Sequence, residues 1–223
     1  KCKDNGMTPE EAQAELRNYY LKNKNNGKKV KVIMGSDTRR SGYMLRSALT
    51  AGLNSMGVDI DFVGVISTPA VAYITKAKEA DAGIMISASH NPAKDNGLKV
   101  FGGNGYKLPD EVEEEIENLM DSVEEITKNP IAGDKVGRFK YAEDEYYLYR
   151  DHLLNSVKGD FAGMKIIVDA ANGSAYRIAR EVFLALGAEV VVINDAPNGT
   201  NINVKCGSTH PEILAKVVVG YEA

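Results

Sequence analysis

The sequence predicts an α/β protein of two consecutive domains, with mixed, largely parallel sheets flanked by helices. Three observations carry this prediction. A strand–helix–strand pattern spans 30–63, and a second spans 165–193. Such units cross over right-handed within a parallel sheet in nearly all proteins. Between them runs a polar stretch, 129–136, containing Pro130 and Gly133. It predicts a boundary that divides the chain into domains 1–140 and 141–223.

The elements follow in order. Residues 8–21 read as a helix: Thr8 caps it, Pro9 opens it, and Glu10 and Glu11 suit its positive end. A polar loop leads to a short strand, 30–34, that ends at Gly35. Ser41 is expected to cap the next helix, on which Met44, Leu45, Ala48, Leu49, Leu53 and Met56 recur with helical period. Gly57 ends it, and 58–63 is the following strand. A helix over 69–79 leads to the apolar strand 82–86, and 98–101 is expected to return as a strand. Gly102-Gly103-Asn104-Gly105 lacks the spacing of a nucleotide-binding glycine loop and reads as a hairpin turn.

Residues 109–126 read as an acidic helix with Val112, Ile116, Leu119, Met120 and Val123 as its apolar stripe. Its cluster Glu111, Glu113, Glu114, Glu115 and Glu117 reads as a solvated face. A hard cation needs carboxylates that converge, and these radiate. The helix predicted over 143–157 has an apolar seam of Tyr146, Tyr149, Leu153 and Leu154. The second unit comprises a strand at 165–169, a helix at 174–186 with Ala179, Val182, Phe183 and Leu186 inward, and a strand at 188–193. Thr209 is expected to cap a last helix, 211–219.

Composition narrows the partners. The chain has 223 residues and a net charge of −4, which gives no general drive toward nucleic acid or anionic membranes. Neither is expected as a partner. No apolar run is long enough to span a bilayer, and no signal-peptide pattern stands at the start. A cytoplasmic location is expected. Cys2 and Cys206 are far apart and lack metal spacing, so reduced thiols are expected.

The chemistry concentrates in one loop. Ser87-Ala88-Ser89-His90-Asn91-Pro92 follows the strand 82–86 directly, and Asp95-Asn96-Gly97-Leu98-Lys99 comes next. A strand end fixes the loop that leaves it, which suits a reactive site. A hydrolytic serine is disfavoured. Neighbouring side chains of an extended segment point to opposite faces, so His90 is poorly placed to take the proton of Ser89. The strained elbow of a hydrolase serine, Gly-x-Ser-x-Gly, is missing as well. A serine that carries a phosphoryl group needs donors and cations, and Ser87, His90, Asn91, Lys94 and Lys99 supply them. From the residues alone a plain polar turn stays open, because Asn-Pro and Asn-Gly are common turn formers.

These motifs resemble the phosphoserine loop of the α-D-phosphohexomutases. The resemblance extends along most of the chain. Gly35-Ser36-Asp37-Thr38-Arg39-Arg40-Ser41-Gly42 is similar to the family's Gly-x-Asp-Thr-Arg-x-Ser-Gly segment. Thr68-Pro69-Ala70 resembles its Thr-Pro-x element, and Val168-Asp169-Ala170-Ala171-Asn172-Gly173 the start of its second domain. Asn201-Ile202-Asn203 and Cys206-Gly207-Ser208-Thr209-His210-Pro211-Glu212 are most similar to the bacterial phosphoglucosamine mutase branch.

The resemblance implies interconversion of glucosamine 6-phosphate and glucosamine 1-phosphate through a 1,6-bisphosphate. Ser89 would be the phosphoryl carrier and Lys99 an acid–base group. His90 would hold the loop, and Arg39 and Asn91 would serve substrate or phosphate binding. Asp37, Arg39 and Ser41 sit at a helix N-terminus, which attracts anions, but read rather as a helix cap with a local salt bridge. Asn201, Asn203 and His210 read as turn and cap residues. A Mg²⁺ ion would bind Ser89 through its phosphate, and aspartates of an Asp-Gly-Asp-x-Asp loop would complete its site. That loop, the family's opening Gly-Thr-x-Gly-x-Arg-Gly segment and its later domains have no match here. The second domain is therefore expected to be incomplete, and the chain alone is expected to show no mutase turnover. The expected partner is a small sugar phosphate, and a homodimer is allowed for. Two other readings stay open: a phosphohexomutase acting on glucose or mannose phosphates, and a non-catalytic α/β fragment that binds phosphate.

Overall fold

The structure is a computed structural model that describes residues 29–120 and 131–221. The helix expected over 8–21, Cys2 and the end of the acidic helix at 121–126 lie outside these residues. The account below concerns the compact unit that begins at Lys31.

Five strands form the first sheet: β1 (Lys31–Ser36), β2 (Asp59–Val65), β3 (Ala82–Ile86), β4 (Leu98–Gly102) and β5 (Phe139–Tyr141). Their order is β4-β3-β1-β2-β5. Only β4 runs antiparallel, against β3; the other pairs are parallel. β1 and β3 read as nearly unbroken apolar runs because helices cover both faces of a parallel sheet; β2 carries Asp61, which pairs with Lys31 at 3.5 Å. Alternate residues of β1 then feed two separate cores. Ile33 points to one with Val63, Ile66, Val71, Ile74 and Met85. Val32 and Met34 point to the other with Ile60, Phe62, Ile84 and Ile86.

Helix α1 (Gly42–Ser55) covers the second core with Leu45, Leu49 and Leu53, one residue per turn. Met44 and Met56, expected on that stripe, are 65% and 53% exposed, and Ala48 is exposed too. The stripe is narrower than the pattern suggested because only the i, i+4, i+8 row reaches the sheet. Helix α2 (Thr68–Ala77) covers the first core with Ala70, Val71 and Ile74. It lies directly on β1 at Gly35, where an added Cβ would come within 2.6 Å of Val71 Cγ2.

The two expected caps are corrected. Ser41 precedes α1 but makes no capping bond; its hydroxyl bonds Asn96 Oδ1 instead. Backbone bonds fill its place, from Gly42 N to Arg39 O at 3.0 Å and from Leu45 N to Ser41 O at 3.0 Å. Thr209 lies within a 3₁₀ turn, Gly207–Thr209, and His210 separates it from the last helix.

The hairpin reading of 102–105 holds: Gly102 N donates to Tyr106 O at 2.9 Å and Gly105 N to Gly102 O at 2.8 Å. Helix α3 (Asp110–Met120) buries none of its residues, so Ile116, Leu119 and Met120 are exposed rather than inward. Its glutamates are indeed solvated, and Glu113 pairs with Lys107 at 2.8 Å.

After a 3₁₀ turn, Glu143–Glu145, come α4 (Tyr146–Ser156), β6 (Lys165–Asp169), α5 (Ile178–Ala185), β7 (Glu189–Ile193) and α6 (Pro211–Tyr221). β6 and β7 pair in parallel as a second sheet. α5 starts four residues later than predicted, because 174–177 form a turn. Tyr146 of α4 and Ile178 of α5 are buried in the same core as Ile33 and Met85, which packs the second group of elements on the first.

Candidate functional site

Parallel pairing sends the loops after β1, β2 and β3 to one edge of the first sheet. In open α/β sheets this carboxyl edge is where ligands bind. The edge is tied together by the backbone. Asp37 N donates to Ile86 O at 3.0 Å, and Ile66 N donates to Ser36 O at 3.0 Å. A cleft of about 300 Å³ opens there. Its first wall holds Asp37, Thr68, Ser87 and Ser89; its second holds Gly173, Ser174 and Asn203, from the loops around the second sheet.

Ser89 is exposed at the mouth of this cleft. Its backbone is left-handed, with φ +57°. That region costs a non-glycine residue about 1–2 kcal/mol. The strand before it outweighs the cost: Ile84, Met85 and Ile86 are all buried, at about 1.5–3 kcal/mol each. Ser89 N donates to Ser87 Oγ at 3.1 Å, and Asn91 N to Ala88 O at 3.2 Å, so the bend closes on itself. Gly97 supports it from below, with Ser87 N donating to Gly97 O at 2.9 Å. A Cβ at Gly97 would stand 2.8 Å from Ser87 O, so no larger residue fits that approach.

The other candidate residues gather around this bend in different ways. Lys99, opposite Met85 on β4, donates from Nζ to Ser87 O at 3.3 Å, two residues before Ser89. His90 and Asn91 are exposed beside Ser89. Arg39 is 3% exposed and turned inward. Its Nη1 pairs with Asp37 Oδ2, and its Nη2 donates to Ser89 O at 3.2 Å and Asn91 O at 2.6 Å. The guanidinium therefore holds the loop in this structure, with a local salt bridge to Asp37, rather than facing the cleft.

Contacts made by three residues escape a residue-by-residue reading of the sequence. Asn203, read there as a turn residue, donates from Nδ2 to Ser89 O at 3.0 Å and to Asn91 O at 2.9 Å. Thr38 Oγ1 donates to Asn172 O at 2.5 Å, and Arg40 N to Gly199 O at 2.8 Å. Asp169 at the end of β6 organises the opposite wall. Its Oδ1 accepts from Ala171 N and Asn194 Nδ2, both at 2.9 Å, and its Oδ2 from Gly207 N at 2.7 Å. The left-handed Ala171 and Asn172 follow, at φ +52° and +50°. The only available signal was the short Asp-Ala-Ala-Asn-Gly run after a strand. Burial, with the charge of Asp169 nearby, pushes the Cys206 thiol up, so it is a poor nucleophile.

Among the described residues no group of three His, Cys, Asp or Glu side chains could hold a metal ion. Among them, too, no helix is long and apolar enough to cross a membrane. Chemically, the cleft offers an exposed hydroxyl on a rigid bend and the first turn of α2 on the same wall, and Lys99 is bonded to the carbonyl of Ser87 beside it. That arrangement suits the handling of a phosphate more than acyl transfer, since no base is hydrogen-bonded to Ser89 Oγ among the described residues.

Comparison with known proteins agrees. Residues 3–127 match the family described as phosphoglucomutase/phosphomannomutase, alpha/beta/alpha domain I. Over 206 residues the chain is 72% identical to the phosphoglucosamine mutase of Fusobacterium nucleatum subsp. nucleatum, covering 92% of this chain and 46% of that protein. It is 48% identical over 215 residues to the phosphoglucosamine mutase of Carboxydothermus hydrogenoformans, covering 96% and 48%. Among solved structures, a phosphoglucomutase/phosphomannomutase family protein from Burkholderia thailandensis matches with a TM-score of 0.69 at 25% identity. That match covers 97% of this chain and 47% of the other. The chain thus spans about half the length of the curated relatives it matches.

Proposed function

The chain belongs to the phosphoglucomutase/phosphomannomutase family, and from that membership we propose that it is the N-terminal part of a phosphoglucosamine mutase. The proposed substrates are glucosamine 6-phosphate and glucosamine 1-phosphate. The observation that carries the reading is Ser89, exposed on a braced left-handed bend at the mouth of the cleft. A buried hydroxyl would have ended it.

In the proposed reaction, phosphorylated Ser89 gives its phosphoryl group to a free hydroxyl of the bound sugar phosphate. The bond from phosphorus to Ser89 Oγ breaks, a bond to the sugar oxygen forms, and the sugar hydroxyl loses its proton. The product is a 1,6-bisphosphate. After the sugar turns over, Ser89 Oγ attacks the other phosphate, and the sugar oxygen released there takes up a proton. Splitting one exchange into two transfers lowers the demand on each. Transfer of this kind needs charge stabilisation more than covalent assistance.

Lys99 is proposed as the proton-handling cation beside the transferred group, and His90 as a loop-holding neighbour. Asn91 is proposed to face the substrate phosphate; Arg39 acts behind the loop. Mg²⁺ is proposed as the cofactor, where it would supply positive charge at the transferred phosphate. The described residues do not make a metal site by themselves; Ser89 would contribute through its phosphate, and the remaining ligands would come from elsewhere in the protein. The division into domains 1–140 and 141–223 and a cytoplasmic location belong to the same proposal.

The test is intact-mass measurement on the full-length protein after incubation with glucosamine 1,6-bisphosphate. The parent is expected to gain one phosphoryl group, mapped to Ser89. Ser89→Ala is expected to gain none and to lose mutase turnover to background. An adduct that survives in the alanine variant refutes Ser89 as carrier. Parallel assays with glucose and mannose phosphates decide the sugar.

A further inference from the structure

The second wall of the cleft reaches across to the serine bend at one side chain. Asn203 Nδ2 carries two hydrogens, and its distances to Ser89 O and Asn91 O, 3.0 and 2.9 Å, use both. Arg39 Nη2 donates to the same two carbonyls from behind, at 3.2 and 2.6 Å. Each carbonyl has two lone pairs, so the pair of acceptors is filled from both sides. We propose that Asn203 is a positioning residue for Ser89: its amide clamps the Ser89 and Asn91 carbonyls and keeps the serine bend in its left-handed form.

The bend needs such a restraint. A strained, non-glycine φ persists only where the surroundings over-determine it. Ser89 N is held by Ser87 Oγ, and Ser89 O is held by Arg39 and Asn203, which ties the residue at both ends. Asn203 is itself anchored. Its backbone is left-handed at φ +59°, a region asparagine tolerates, and its N–H donates to Ala171 O at 2.9 Å. The bond from Arg40 to Gly199 fixes the same loop against the turn after β1, and the bond from Thr38 to Asn172 fixes the neighbouring turn after β6. The placement of the second sheet's loops thereby sets the direction of the Ser89 hydroxyl. A misplacement of about 1 Å in a reacting group costs up to about 100-fold in rate.

The inference rests on the reading of Ser89 as the phosphoryl carrier. The test uses the full-length protein with two variants. Asn203→Gly deletes the amide and keeps the left-handed backbone accessible. Asn203→Asp keeps the size and removes both donors. Glucosamine 1,6-bisphosphate is the phosphoryl donor. Loading of Ser89 and kcat are expected to fall about 10- to 100-fold in both variants. KM for glucosamine 6-phosphate is expected to stay within about twofold, as expected when positioning and not ground-state binding is lost. Loading at the parental rate in either folded variant overturns the role. So does a rate loss that appears only with a lowered unfolding midpoint in both. If Asn203→Gly does not fold, the aspartate variant decides alone. A parent that takes no phosphoryl group at Ser89 overturns the underlying reading instead, which keeps the two failures distinct.

Discussion

Arg39 shows how one side chain can serve fold and site together. It is buried with Asp37, and its fork spans the ion pair and two loop carbonyls. Asp37 Oδ1 also accepts from Arg39 N at 3.0 Å, so the carboxylate is satisfied from two sides. Removing only the cation leaves that carboxylate buried and uncompensated. Arg39→Met is therefore expected to lower stability by about 3–5 kcal/mol in urea unfolding, and the double variant with Asp37→Asn to recover part of it. Arg39→Lys keeps the charge but loses the planar fork, so it is expected to fold while loosening the Ser89 bend. At this scale the sequence was half legible. The run Ser-Ala-Ser-His-Asn-Pro marked the loop of the candidate serine. The use of Ser41 was not legible, because Asn96, 55 positions away, competes for its hydroxyl.

A linked set of polar contacts joins α4 and α5. Tyr146 OH donates to Glu181 Oε2 at 2.9 Å, and Arg177 Nε donates to Glu181 Oε1 at 2.8 Å while its guanidinium lies 4.2 Å from the Tyr146 ring centroid. Burial, reinforced by the Glu181 carboxylate, pushes the Tyr146 hydroxyl well above the usual tyrosine range. Burial alone would raise Glu181, but the bonds from Arg177 and Tyr146 bring it below the usual carboxylate range. The signs then differ. A raised tyrosine contributes stability that is complete below about pH 10 and is lost above it. A lowered carboxylate contributes stability that is complete above about pH 4.3 and is lost as pH falls further. Tyr146→Phe is expected to cost about 1 kcal/mol at pH 7, a modest value because Glu181 is 33% exposed. The difference between parent and variant in urea unfolding is expected to shrink between pH 9 and pH 11, roughly the range over which an unfolded tyrosine ionises. A difference that stays constant across that range refutes the assignment. The sequence marked Tyr146 as a core-facing aromatic; its partner Glu181, 35 positions on, became visible only when the two helices packed.

Across the whole molecule, the cleft is a joint product of two groups of elements. One wall comes from the carboxyl edge of a five-stranded sheet and the other from loops around a two-stranded one. The proposed reaction further needs metal ligands that the described residues do not supply. The chain alone is therefore expected to give no measurable turnover of glucosamine 6-phosphate beside a full-length control, and turnover equal to that control refutes the proposed division of labour. Four strands of the first sheet were legible, and β5, three residues with only Phe139 partly buried, was not; the central ones were legible because two-sided burial writes apolar runs such as Val32-Ile33-Met34. The second βαβ unit was legible for the same reason, though the late start of α5 was not. Alone, the order of residues determined most of the strands and helices and which loop carries the candidate serine, since period and loop chemistry are local properties. Tertiary structure alone decided that Asn203 meets Ser89 across 114 positions and that Arg39 turns inward to brace it. Convergence of that kind depends on how crossovers pack one sheet's loops against another's, a sum of distant contacts that no local pattern records.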